Sequence, residues 1–255
     1  MRLSRQARGA IFSTAGYFVV LELMLIAAIL YWPQFRENTA TLKVFAAPVP
    51  VLSDMVAQLE EKGVMAYVIG QHFFKGCSVL GVAAATLFAA GAIAGEAHRG
   101  TLELFLARPV SRARLLTERY VVGALQLSVP IFLTTLTIPY LLSFVDETAS
   151  VSALMLAALH ESLFLLVLYS ATFLVSTFGR MPLKITFVML IFAIFNFAIY
   201  MVKEVTHYSL FRKSDIDVLL KVYESGPLWG MWAVFVGLSA GFYIASRIVF
   251  ARRVP

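Results

Sequence analysis

Six long apolar runs leave this sequence few folds to choose from. They cover about 10–32, 76–94, 120–144, 153–178, 185–202 and 228–250. A helix rises 1.5 Å per residue, so about 20 residues cross the ~30 Å hydrocarbon core of a bilayer. Within that core the backbone finds no water, and a helix satisfies its own N–H and C=O groups. The expected fold is an all-α membrane protein with six transmembrane helices, arranged as a single domain over 1–255. Composition agrees. The chain is 60% hydrophobic and 14% charged, whereas soluble domains run nearer 25% charged. Lipid is therefore the expected solvent for much of the surface.

The run boundaries carry their own signals. The first run is too long for a signal-peptide core of 7–15 residues. It closes on Tyr31-Trp32-Pro33, which reads as an interface anchor and a stop. Lys75 places the start of the second span at Gly76, and the apolar 64–74 stretch either lies at the surface or lengthens that span. Pro130 and Pro139 fall inside the third span, where each frees a backbone carbonyl. Gly91-x-x-x-Gly95 and Gly237-x-x-x-Gly241 have the spacing of close helix contacts in membranes. Small amphipathic helices are expected in the first and last long loops. Ser53 would cap one over 54–62. A Ser214-x-x-Asp217 capping box would start another, ended by Gly226-Pro227. Trp229 and Trp232 read as interface anchors of the sixth span.

Charge gives the orientation. The two termini, the 95–119 loop and the short 179–184 turn hold thirteen cations and three loop acids. The other side holds eight cations and ten loop acids. An excess of Lys and Arg marks the cytoplasmic side, so both termini and the 95–119 loop are expected there. The net charge of +6 is spread along loops in this way and implies no nucleic-acid partner.

The 95–119 loop, GEAHRGTLELFLARPVSRARLLTER, has the grammar helix, break, helix. Gly100 can take the left-handed position that ends one helix, and Thr101 can cap the next. Leu102, Phe105 and Leu106 fall on one face of that next helix. Pro109 stops it, and Ser111 can cap the segment that follows. The product is a short helix between two spans, apolar on one side and charged on the other.

The string Glu96, Arg99-Gly100-Thr101-Leu102-Glu103, Leu106-Ala107, Pro109-Val110-Ser111-Arg112 resembles the cytoplasmic loop of ABC-2-type transporter permeases. The close match covers about 25 residues, and the six spans extend it loosely over the whole chain. Where that family usually has Gly-Lys, this chain has Glu118-Arg119, which keeps the cation. The resemblance implies a coupling helix that docks on a separate ATPase subunit. On it, Glu96, Arg99, Gly100, Thr101, Leu102, Glu103, Phe105, Leu106, Pro109 and Arg112 would serve coupling. It further implies two permease copies, identical or paralogous, working with the ATPase in a bacterial plasma membrane, with export the expected direction. ATP and Mg would be bound by that partner, since this chain has no G-x-x-x-x-G-K-[ST] loop and no cofactor of its own is expected.

Glu22 and Glu161 are the two acids inside apolar runs, with His160 beside one of them and Asn196 in the fifth run. A charge at the bilayer centre costs roughly 2.5–3.5 kcal/mol on insertion scales, so it faces protein or water. These four residues either line a translocation path or pair with Ser, Thr or Asn on neighbouring helices. Enzyme signatures are missing. His160-Glu161 lacks the second histidine of a zinc motif, and the chain has no G-x-S-x-G elbow. The single cysteine, Cys77, excludes an intrachain disulfide and a multi-cysteine metal site. Two other classes compete: an ATP-independent carrier or channel, which often shows internal repeats not seen here, and a membrane assembly factor.

Overall fold

A computed structural model of the chain describes residues 5–103 and 111–252. Among the described residues every regular element is helical. In order these are α1 (Arg5–Glu37), α2 (Thr39–Ala46), α3 (Pro50–Lys62), α4 (Val64–Val68), a π-helical segment (Ile69–Leu80), α5 (Gly81–Ala92) and α6 (Ala94–His98). Then come α7 (Arg112–Leu142), α8 (Val151–Phe178), α9 (Pro182–Tyr200), α10 (Ile216–Ser225) and α11 (Trp229–Ala251). Six continuous helical stretches are long and apolar enough to cross a membrane: Gly9–Glu37, Val64–Ala92, Arg112–Val145, Val151–Phe178, Pro182–Tyr200 and Trp229–Ala251.

Helix α8 is the centre of the bundle. It packs against α5, α7, α10 and α11, and Leu154, Leu165, Tyr169 and Phe173 on it are fully buried. Around it, α1 packs on α7 through Tyr17, Leu21, Leu25, Ile29 and Trp32, which recur every three or four residues on one face. Its other face leaves Phe12, Leu23 and Leu30 exposed. Most of α9 is exposed as well, with Phe187, Ile191, Ile194 and Phe195 pointing outward. Such surfaces suit lipid tails or another membrane helix.

Several boundaries differ from the sequence-based expectation. Pro33 does not stop α1, which runs on to Glu37. There Trp32 Nε1 donates to Glu147 Oε1 at 3.2 Å and Arg36 pairs with the same carboxylate at 3.9 Å, tying the first span to the turn after the third. The second span begins at Val64 and not at Gly76. Lys75 sits within it because its side chain reaches the exterior, where Nζ donates to Gln71 Oε1 at 3.3 Å. Helix α3 starts at Pro50 after Val49, so Ser53 lies in its interior and caps nothing. Asp215, not Ser214, caps α10, accepting from Val218 N–H at 3.1 Å. Trp232 points inward and is buried, whereas Trp229 is exposed as an anchor would be.

The glycine pairs also change roles. A Cβ built on Gly91, Gly237 or Gly241 would meet nothing within 4 Å, so those positions make no close contact inside this bundle. Close approaches to other spans occur at Gly81, against Leu165 and Tyr17, and at Gly123, against the Tyr169 ring, and Gly179 comes close to Ile185 across the turn.

Candidate coupling loop and polar core

The loop after the second span is held from two sides. Where α5 gives way to α6, the helical hydrogen bonding breaks at Ile93. The freed N–H groups of Ile93 and Ala94 donate to Ser176 Oγ at 3.2 and 3.0 Å, and Ser176 donates back to the Ala90 carbonyl at 3.0 Å. Ser176 is fully buried on α8, so the break is fixed to the centre of the bundle.

Helix α6 then ends in a Schellman motif. Gly100 has φ +67°, its N–H donates to Ala97 O at 3.2 Å, and Thr101 N–H donates to Glu96 O at 3.0 Å. This is the positive φ expected of Gly100. The Glu96 side chain is buried and acts as the hub of the turn. Its carboxylate receives Arg99 Nη2 at 3.0 Å, Arg119 Nη2 at 3.7 Å and the Thr101 hydroxyl. Thr101 is thus bound back to Glu96 by both backbone and side chain. Leu102 is buried in the main core and starts a new helical turn with Glu103. Phe105, Leu106 and Pro109 lie outside the described residues. Beyond them Ser111 caps α7 as expected, accepting from Arg114 N–H at 3.3 Å. Arg112 Nη1 donates to the Ala251 carbonyl at 3.2 Å, clasping the start of α7 to the end of α11.

The polar residues inside the spans separate into two groups. Glu22, half-buried on α1, accepts from Thr137 Oγ1 at 3.1 Å on α7. The other three converge on the loop before α10. Glu161 is fully buried and accepts from Ser78 Oγ at 2.8 Å and from Ser214. His160 Nδ1 accepts from Trp232 Nε1–H at 3.0 Å, which leaves Nε2–H to donate to the Lys213 carbonyl at 2.8 Å. Asn196 Oδ1 accepts from Leu210 N–H at 3.4 Å, and its backbone carbonyl accepts from Ser209 Oγ at 2.7 Å. The 209–215 segment is therefore drawn into the bundle by α8, α9 and the π-helical segment together. Sequence reasoning missed Ser78, Ser176, Ser214 and Trp232 as partners, since lone serines in apolar runs give no periodic signal. It also missed His72, fully enclosed beside Thr134 at 3.2 Å and Cys77 at 3.7 Å. Tyr17 Oη, close to Gly81, has no hydrogen-bond partner among the described residues.

Asp215 gives this segment a pH dependence. Burial pushes its carboxyl up to about 6, against the opposing pull of the Val218 N–H and Arg212. The folded segment then holds its proton to higher pH than the unfolded chain does. Its stabilisation is full below about pH 4 and is lost as pH rises through about 6. Hydrogen exchange over 209–219 should accordingly be slower, after correction for intrinsic rates, at about pH 4.5 than at about pH 7. Asp215→Asn, which keeps a capping oxygen, should flatten that difference.

Six helices long and apolar enough to span a membrane, with buried polar contacts among them, describe a multi-pass membrane protein. A family model described as ABC-2 family transporter protein matches residues 7–218, and the chain belongs to that family. Its role is that of a permease, the membrane component, and the family generally works with an ABC ATPase partner. No curated protein and no solved structure matches the chain.

Proposed function

We propose that this chain is the membrane subunit of an ATP-driven exporter and that a separate ATPase docks on the 95–119 loop. ATP and Mg are held by that partner, two permease copies form the working unit, and both termini face the cytoplasm of a bacterial cell. The observation that carries the reading is the buried Glu96 hub. It joins Arg99, Thr101 and Arg119 and so ties the turn at Gly100 to the start of the third span. A mere connector needs no such anchoring. A two-state membrane bundle can then be biased by nucleotide bound at a distance. Glu22, His160, Glu161 and Asn196 belong, in this reading, to the path that opens when the bundle rearranges.

Pull-down of the ATPase at matched membrane levels tests the docking. Truncating a buried interface aromatic commonly costs over 2 kcal/mol, about thirtyfold in affinity. Phe105→Ala should cause a loss of that order. Gly100→Val should also weaken capture, because a β-branched residue fits poorly at positive φ. Glu103→Ala should act weakly and with more salt dependence. Full capture and full coupled activity in both Phe105→Ala and Gly100→Val would reduce the stretch to a connecting loop.

A further inference from the structure

The ends of α7 and α11 leave a groove between them. It encloses about 320 Å³ and is lined by Arg112, Ala113, Leu116, Ile244, Arg247 and Ile248, among others. Its walls are almost wholly apolar, and its charged lining residues are two arginines, with no acid in the lining. Arg112 Nη1 donates to the Ala251 carbonyl, and both residues line the groove. Arg247 is exposed, and no carboxylate among the described residues pairs with it. Arg252, five residues further on, is also exposed. Ile244 and Ile248 are 57% and 52% exposed, which offers apolar surface in the same groove as the arginines.

Three properties select the occupant. The groove lies at the polar ends of two spanning helices, where a bilayer changes from headgroup to acyl chain. Basic pockets between spans suit anionic headgroups, and each basic residue near an anionic surface contributes about 1 kcal/mol. The volume is near the ~300 Å³ floor of small-ligand sites, and too small for a helix of ~10 Å diameter. We propose that this groove binds one anionic phospholipid. Its phosphate meets Arg247 and Arg112, and one acyl chain runs along Leu116, Ile244 and Ile248. A zwitterionic lipid brings its own cation to the arginines and gains less. The groove shares Arg112 with the 95–119 loop, whereas Arg247 and Ile244 lie outside that loop, so variants at these two positions can fail or hold without regard to ATPase docking.

The test uses the full chain purified in neutral detergent. Phosphatidylglycerol and phosphatidylcholine of identical acyl chains are added separately, and retention is read by native mass spectrometry beside the thermal midpoint. Phosphatidylglycerol should be retained and raise the midpoint; phosphatidylcholine should do neither. Arg247→Gln should weaken phosphatidylglycerol binding about five- to tenfold, the scale of one interfacial cation. Arg247→Lys should keep most of it, which separates lost charge from lost fold. Ile244→Trp should block the acyl channel with both arginines intact. Inorganic phosphate distinguishes a lipid from a free anion and should give no protection. Equal retention of the two lipids, unchanged binding in Arg247→Gln or Ile244→Trp, or full protection by phosphate alone would overturn the proposal.

Discussion

Gly123→Val should remove most of the monodisperse protein from detergent extracts at unchanged synthesis. A Cβ at this position would lie 2.2 Å from Tyr169 Oη and 2.8 Å from its ring carbons. Tyr169 cannot step aside. It is fully buried, its ring packs against Tyr120 and Phe173, and its hydroxyl donates to the Tyr120 carbonyl at 3.1 Å. Relief must therefore come from separating α7 from α8, the helix on which the bundle is built. Overpacking of this kind costs about 1–3 kcal/mol where a core can yield, and more where it cannot. That is a large share of the ~5–15 kcal/mol that holds a typical domain together. Small residues permit close helix approach in membranes, where no hydrophobic force drives helices together. Size-exclusion profiles of the single variant and of Gly123→Val with Tyr169→Ala separate the explanations. The double variant should recover part of the loss, since the two positions share one space. A wild-type profile for Gly123→Val alone would show that α7 and α8 do not meet here.

Glu96→Ala should cost almost as much, by a different route. The carboxylate is 6% exposed and serves as acceptor for Arg99, Arg119 and Thr101. Removing one member of a buried charged set costs roughly 3–5 kcal/mol, because donors organised around it lose their acceptor within a desolvated site. Arg119 is the costlier partner, at 19% exposure against 60% for Arg99. The Schellman hydrogen bonds use the backbone and remain available, so the expected injury is local. The 95–103 stretch should become more accessible to protease while the six spans stay folded. Glu96→Gln, which keeps two acceptor sites but no charge, should fall between. Unchanged proteolysis in Glu96→Ala would mean the turn is held by its backbone alone.

The parts legible in the sequence were those encoded by local chemistry. Runs of apolar residues specify spans because a bilayer imposes length. Gly100-Thr101 specifies a turn because positive φ and a 6→1 hydrogen bond follow from neighbouring residues. Ser111 was readable as a cap for the same reason. What failed depended on distant partners. Lys75 looked like a boundary because its charge is visible and its outward path to Gln71 is not. Ser214 had the spacing of a cap, but Glu161, 53 residues away, engages its hydroxyl, and Asp215 takes the capping role instead. Trp232 had the position of an interface anchor, yet His160 draws its N–H inward. Gly123 carries no spacing motif at all; its importance exists only because Tyr169 folds onto it. The pairing of Glu161 with serines followed the physical expectation for an intramembrane acid, whereas which serines could not be read.

ATPase docking on the 95–119 loop, as proposed, requires that loop to meet the partner on the cytoplasmic side. Site-specific photo-crosslinking in intact membranes measures it most directly, with the probe placed at Glu103 in one variant and at Asp217 in another. Glu103 begins the new turn after the Glu96 hub, and Asp217 lies in α10 next to the opposite loop, bound to Arg212 at 2.7 Å. The account predicts a crosslink to the ATPase subunit from position 103 and none from 217. A crosslink from 217 with none from 103 would contradict both the orientation and the coupling role.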